Sequence, residues 1–219
     1  MAVTAGNVWT RLKEKLNDLD AVRWPEDECL RAISDAQVAI LESRPDLFEA
    51  FAYVSTVAGS AQSVPSDCYR LFDVVSNCDA TNARVSGLTK VDRYTLDRHK
   101  RDWITMTASD EADHWMQDER EWSRFYLVPP QPATDRGKLE IRYAQFPTTL
   151  SSMGSALSLS DEAVNAVYNF CMHRLLEKDE KFAGSPTANA FWDKFVGFIG
   201  AKSEADNQHA AQRNSNERS

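Results

Sequence analysis

The chain is short of several things, and each shortage closes off a class of protein. No stretch approaches the roughly 18 consecutive apolar residues of a membrane-spanning helix. The opening MAVTAGNVWTRLK has no apolar core of the kind a secretory signal needs. Glycine is sparse, eight in 219 residues, and neither G-x-G-x-x-G nor G-x-x-x-x-G-K-[ST] occurs, so no glycine-rich loop cradles a phosphate. H-E-x-x-H and G-x-S-x-G are missing too, which removes the commonest zinc and serine-nucleophile signatures. Cys29, Cys68, Cys78 and Cys171 include no C-x-x-C pair, and the four histidines stand too far apart to complete a zinc site, so buried free thiols are expected. Cations are outnumbered: 25 Lys and Arg face 33 Asp and Glu, for a net charge of −8. A chain so balanced has no basis for gripping nucleic-acid phosphates over its whole surface, although a local basic patch is still open to it.

What is present is enough apolar material, 42% of residues, to build a core without cross-links. Val8, Leu12, Leu16 and Leu19 recur at helical spacing and predict a short amphipathic helix over 8–19. A second helix starts at Pro25, in the first helical position. Glu26, Asp27 and Glu28 fill its first turn, where the helix dipole favours anions. Cys29, Ile33, Ala36 and Ile40 form its apolar stripe, and Arg44-Pro45 ends it, because the residue before a proline is pushed out of the helical region.

The period then changes from 3.6 to 2. Phe51, Tyr53, Ser55 and Val57 alternate with Ala50, Ala52, Val54 and Thr56, and Tyr69–Val75 is a further strand. Residues 77–87 read as a polar loop, 88–93 as a short strand, 94–100 as a helical turn, and 112–117 and 124–128 as extended. Pro129, Pro130 and Pro132 are expected to end the last of these sharply. Lys138–Phe146 is the clearest strand: Leu139, Ile141 and Tyr143 face one way, Glu140, Arg142 and Ala144 the other. That pattern predicts one packed and one wet face in an antiparallel sheet, joined to the preceding strand as a hairpin through 131–137.

Helical spacing returns with Val164, Val167, Cys171 and Leu175, capped by Ser158 or Ser160 and stopped near Gly184. Ser185-Pro186 starts another helix, with Ala188, Phe191, Trp192, Phe195 and Ile199 on its apolar face and Phe191 and Trp192 as its anchors. From about 201 onward no side chain larger than alanine is apolar, so that segment cannot build a core and reads as an extended tail. The expected fold class is α+β: an antiparallel helical bundle built from both chain ends (1–47 and 158–200), an inserted antiparallel β domain (48–157), and a C-terminal tail (201–219).

No catalytic constellation emerges. His173 and Glu177 lie one helical turn apart, but two groups make a surface pair more readily than a metal site. Asp110, Glu111, Asp113, His114, Asp118, Glu119 and Glu121 crowd together without the glycine turn and regular ligand spacing of a calcium loop, and read as a solvated acidic surface. The one basic run, Lys90, Arg93, Arg98, Lys100 and Arg101 beside Tyr94 and Trp103, fits a nucleic-acid or subunit contact. The simpler reading is a polar helix face neutralised by Asp92, Asp97 and Asp102.

Short motifs in a particular order carry a resemblance: Trp24 with Leu30 and Asp35-Ala36-Gln37, Arg44-Pro45-Asp46, Ala58-Gly59 with Gln62 and Val64-Pro65, and Arg70-Leu71. They continue through Val91-Asp92-Arg93, Leu96-Asp97, Trp103, Phe125-Tyr126, Val128-Pro129-Pro130, Tyr143-Ala144, Pro147 and Arg174 with Lys178-Asp179. From Trp24 to Ile199 the chain resembles the head-to-tail adaptor, or connector, proteins of tailed bacteriophages. The resemblance implies a virion structural protein, made in the bacterial cytoplasm and placed in the neck of the particle, with no catalysis and no cofactor. It implies a homo-oligomeric ring, usually of twelve copies, that binds the portal protein above and a tail or nozzle protein below. DNA passes through the lumen without specific binding, and no membrane is involved. The C-terminal segment is then the portal-contact element, with Lys202, Gln208, Gln212, Arg213 and Arg218 as its contacts. A tail-completion or terminator protein, and a nucleic-acid-binding packaging factor using Arg93, Arg98, Lys100 and Arg101, are the competing expectations.

Overall fold

The computed structural model describes residues 3–118, 120–134, 137–179 and 181–200. It is a mixed α+β protein whose chain divides into two compact units, one made of 1–48 with 147–219 and the other of 49–146. The boundary after the β region thus falls at 146/147, ten residues before the change of period near Leu157.

In the first unit, α1 (Ala5–Leu16) begins at Thr4, whose backbone N–H donates to Asn7 Oδ1 at 2.8 Å in a reciprocal capping box. This cap sets the start three residues ahead of the apolar period. Ala5, Val8 and Leu12 are buried, whereas Leu16 is half-buried and Leu19 lies exposed beyond the helix, so the expected stripe stops short. α2 (Glu26–Ser43) buries Cys29, Ile33, Ala36 and Ile40, with Pro25 just outside as N-cap and Arg44 as C-cap. α4 (Val164–Glu177) packs against α2, and α1 touches both. Trp24 Nε1 donates to the Leu175 carbonyl at 3.2 Å, and the Lys178 ammonium donates to Glu28 at 2.6 Å.

The last helix of the unit, α5 (186–200), starts where Ser185 Oγ accepts the Ala188 N–H at 3.1 Å. It lies on α4 through edge-on aromatic contacts of Tyr168 with Phe191 and of Phe170 with Phe195. Trp192 is not the buried anchor its spacing suggested: it is 40% exposed, and Phe195, 2% exposed, holds that position. Ser158 and Ser160 do not cap α4 either. Ser158 Oγ is engaged with Thr148, and a single 3-10 turn, Asp161–Ala163, precedes the helix. The segment after residue 146 belongs here: Ala5 N–H donates to the Ser155 carbonyl at 2.9 Å, Leu157 N–H to the Val3 carbonyl at 2.9 Å, and Ser158 N–H to Gln37 Oε1 at 2.8 Å.

The second unit holds two antiparallel-rich sheets. One has the order β1 (Glu49–Ser55), β8 (Lys138–Gln145), β3 (Cys68–Cys78), β4 (Arg84–Gly87). The other runs β2 (Gly59–Ser63), β7 (Arg124–Gln131), β6 (His114–Met116), β5 (Thr89–Lys90), and its β5–β6 pair is parallel. Leu71, Val74, Leu139, Ile141 and Tyr143 of the first sheet join Trp115, Phe125 and Leu127 of the second in one core. Neighbouring residues on a strand point to opposite faces. Met116 and Val128 therefore leave that core and pack instead under Leu96 and Trp103, in and just after the short helix α3 (Arg93–His99). Both faces of the second sheet are covered, which accounts for the unbroken apolar run Phe125-Tyr126-Leu127-Val128.

Four sequence expectations give way here. The hairpin through 131–137 does not exist: β7 and β8 lie in different sheets, each already paired on both sides. Pro129 and Pro130 do not end β7, which continues to Gln131 and stops just before Pro132. Between the pairs Ala61↔Tyr126 and Gly59↔Gln131 the register jumps, so Pro129 and Pro130 occupy an irregular stretch where their missing N–H groups leave no ladder bond unmade. The polar segment 77–87 is a hairpin rather than a loop, its turn at 79–83 held by the Asp79 carboxylate accepting from the Thr81 and Ala83 N–H groups at 2.8 and 2.9 Å. On β8 the second face is only partly wet, because a central strand buries Glu140 and Ala144 as well.

Candidate functional site

The described residues gather into no metal-binding arrangement. No group of three His, Cys, Asp or Glu side chains there stands close enough to hold an ion, and no described helix is long and apolar enough to cross a membrane. His173 and Glu177 serve separate backbone partners: the His173 Nδ1 lies 3.2 Å from the Ala188 carbonyl, and Glu177 accepts the Gly184 N–H at 2.9 Å, where the chain turns with Gly184 at φ +65°. Three carboxylates of the acidic stretch have partners of their own. Asp118 accepts the Arg120 N–H at 2.9 Å and an Arg93 N–H at 3.3 Å, Glu111 accepts the Ser86 hydroxyl at 2.7 Å, and Glu121 that of Tyr126 at 2.8 Å. All four cysteines are free and buried. Burial pushes the Cys29 and Cys68 thiols up to about 11 and raises that of Cys171 further, which keeps them protonated and unreactive.

Charged side chains line the surface grooves. The groove between α2 and α4, about 490 Å³, is lined by Glu28, Arg31, Asp35, Arg174 and Lys178; Glu28 pairs with Lys178, Asp35 with Arg174, and Arg31 with Asp27.

The basic run is the exception. The expectation that Asp92, Asp97 and Asp102 neutralise it fails for most of its members. Asp92 is the N-cap of α3 and accepts from the Thr95 hydroxyl and the Thr95 N–H, two bonds that hold its carboxyl below the usual aspartate range. Asp97 accepts the Trp103 indole N–H at 2.9 Å and pairs with Arg93 at 3.5 Å. Lys90 lies over the Trp115 ring at 5.0 Å. Arg98, Lys100 and Arg101 are exposed and have no ion pair with any described residue. Two of the three carboxylates beside them are occupied, Asp92 in capping α3 and Asp97 in fixing Trp103, and the exposed Asp102 carboxylate pairs with none of them.

At 100° per residue, Tyr94 and Arg98 point away from the side on which Leu96 is buried and lie next to each other. This leaves Tyr94 71% exposed, with Ile104 also exposed a few residues on. In the other unit Val22 is 81% exposed. It sits in a turn shaped by Asp18, whose carboxylate accepts the N–H groups of Val22, Arg23 and Trp24, each at 3.0 Å, and is held below the usual aspartate range chiefly by the Trp24 bond. Spacing arguments pass over Val22, since an apolar residue outside any periodic pattern carries no signal except its acidic neighbours Asp18, Asp20 and Glu26. The outer side of β1 presents Phe51 and Tyr53, while Ala50, Ala52 and Val54 take the inner side.

The expected portal contacts Lys202, Gln208, Gln212, Arg213 and Arg218 lie outside the described residues. Arg93, Arg98, Lys100 and Arg101 all fall in and just after α3, and of the four Arg93 alone pairs with described carboxylates, those of Asp97 and Asp118. In comparisons with known families and with curated proteins, no family model and no curated sequence matches the chain.

Proposed function

We propose that the chain is a structural head-to-tail adaptor of a tailed bacteriophage, a subunit of a ring that joins the portal to the tail. The observation that carries the reading is the order of its two units. Both chain ends contribute to one helical unit, a two-sheet unit is inserted between them, and the short motifs of the adaptor family fall along this plan from Trp24 to Ile199. In this reading the helical unit is an antiparallel bundle that packs against neighbouring copies, and 201–219 reaches the portal. Exposed large apolar side chains on both units, Val22 and Trp192 on one and Phe51 and Tyr94 on the other, suit a protein whose surface is completed by assembly. The net negative charge suits a channel wall that must release passing DNA.

The test is attachment to portal-bearing heads. The full chain should bind them and form a ring visible by electron microscopy, and a chain truncated after Gly200 should keep its melting temperature but fail to attach. Heads that ignore the full chain would overturn the reading. A truncated chain that attaches normally would move the grip from 201–219 to the helical unit.

A further inference from the structure

The two most exposed large apolar side chains of the described residues, Val22 and Tyr94, stand in surroundings of opposite charge. Residues 18–28 hold five carboxylates against the single cation Arg23, which is itself tied to Asp179. Asp27 pairs with Arg31 and Glu28 with Lys178, but Asp20 and Glu26 are exposed and have no ion pair with any described residue. Residues 89–103 hold five cations against three carboxylates, whereas the rest of the chain has twenty against thirty.

Both surfaces are held in shape before any partner arrives. Asp18 fixes the turn that carries Val22, and the Asp92 cap together with buried Leu96 and Trp103 fixes the helix that carries Tyr94. Preorganised apolar anchors ringed by charge are the make-up of a protein interface, in which Tyr and Arg dominate the binding energy.

We infer that copies of this chain associate head to tail, the Val22 turn of one copy docking on the Tyr94 face of the next, with Asp20 and Glu26 set against Arg98 and Arg101. The occupant is a second copy because the chain itself supplies both charges and both apolar anchors. A contact between two different patches of the same molecule repeats around an axis and closes into a ring when the rotation allows. Nucleic acid fits the same cations less well. Tyr94 offers bases a ring to stack on, but the remaining charge of the chain, twenty cations against thirty carboxylates, repels the phosphates. The inference rests on the ring reading above and names the contact that would close the ring.

The experiment is a charge exchange between copies, read by sedimentation velocity, with circular dichroism confirming that each variant folds. Arg98→Glu with Arg101→Glu should abolish the oligomer, and so should Asp20→Arg with Glu26→Arg. An equimolar mixture of the two variants should restore it, since each then carries the complement of the other. Tyr94→Ala should weaken assembly at unchanged charge, and raising salt from about 0.05 to about 0.5 M should weaken it as screening grows. Reversal variants that assemble like the parent would overturn the inference. So would a mixture that stays dissociated, or variants that keep the oligomer but lose binding to a short DNA duplex, which would make the patch a nucleic-acid contact. Attachment to portal-bearing heads is measured in parallel. Heads that take up the parent chain while the reversals leave its oligomer intact would place the subunit contact elsewhere and leave the adaptor reading standing.

Discussion

Asn77 and Ala112 form a closed amide pair inside the two-sheet unit. Asn77 Nδ2 donates to the Ala112 carbonyl at 2.8 Å, and Ala112 N–H donates to Asn77 Oδ1 at 3.0 Å. The Asn77 side chain thus takes the place of a strand neighbour for a buried residue that has none, tying the end of β3 to the approach to β6. Asn77→Leu strands one buried donor and one buried acceptor and should lower stability by about 2–3 kcal/mol. Urea unfolding checks this, and an unchanged midpoint would mean that water replaces the amide.

Glu140 adds a pH dependence to the same unit. Its carboxylate accepts from Arg84 Nη2 at 2.8 Å and from Ser76 Oγ at 3.1 Å, and the Arg84 bond is the chief reason its pKa is lowered from the ordinary 4.5. A group with a depressed folded-state pKa contributes stability above its unfolded value and loses it as the pH falls through the folded value. Glu140→Gln should therefore destabilise at pH 7, by about 1–2 kcal/mol given that Arg84 is mostly exposed. The difference from the parent should shrink steadily below pH 4.5. Thermal melts of both proteins across that range decide it, and a gap independent of pH would refute the charge argument.

Trp24 separates packing from hydrogen bonding. It is buried, and its indole N–H reaches the Leu175 carbonyl. Trp24→Phe keeps much of the ring and removes the donor, for an expected loss of about 1–2 kcal/mol. Trp24→Ala also opens a cavity and should cost about 3–5 kcal/mol. Equal losses for the two substitutions would show that the hydrogen bond carries the whole effect.

Phe195 and Trp192 should behave oppositely to their sizes. Phe195→Ala empties a buried site and is expected to cost about 3–5 kcal/mol, Trp192→Ala about 1–2 kcal/mol because much of that ring is already in water. Melting temperatures of the two variants measure the order. A larger loss for Trp192 would place it in the core after all.

Much of the molecule is legible from local pattern. The α2 stripe of Cys29, Ile33, Ala36 and Ile40 is buried as its spacing requires, the inward residues of β8 are those its alternation names, and Ser185 caps α5. These features depend on neighbours within a few residues, where side-chain direction follows from the helical or strand period alone.

Tertiary structure decided the rest. No local period says that β7 and β8 enter different sheets, because strand pairing is chosen among distant partners by the surface each buries. Asp92 and Asp97 were free to neutralise the cations beside them until folding turned one into a helix cap and the other into the acceptor for Trp103, leaving Arg98, Lys100 and Arg101 without described partners. Val22, Tyr94 and Trp192 carry the same apolar side chains as core residues. Val22 and Tyr94 stand mostly in water and Trp192 is covered on one side only, by Phe170, His173 and Phe195, because burial is a property of the surroundings rather than of the residue.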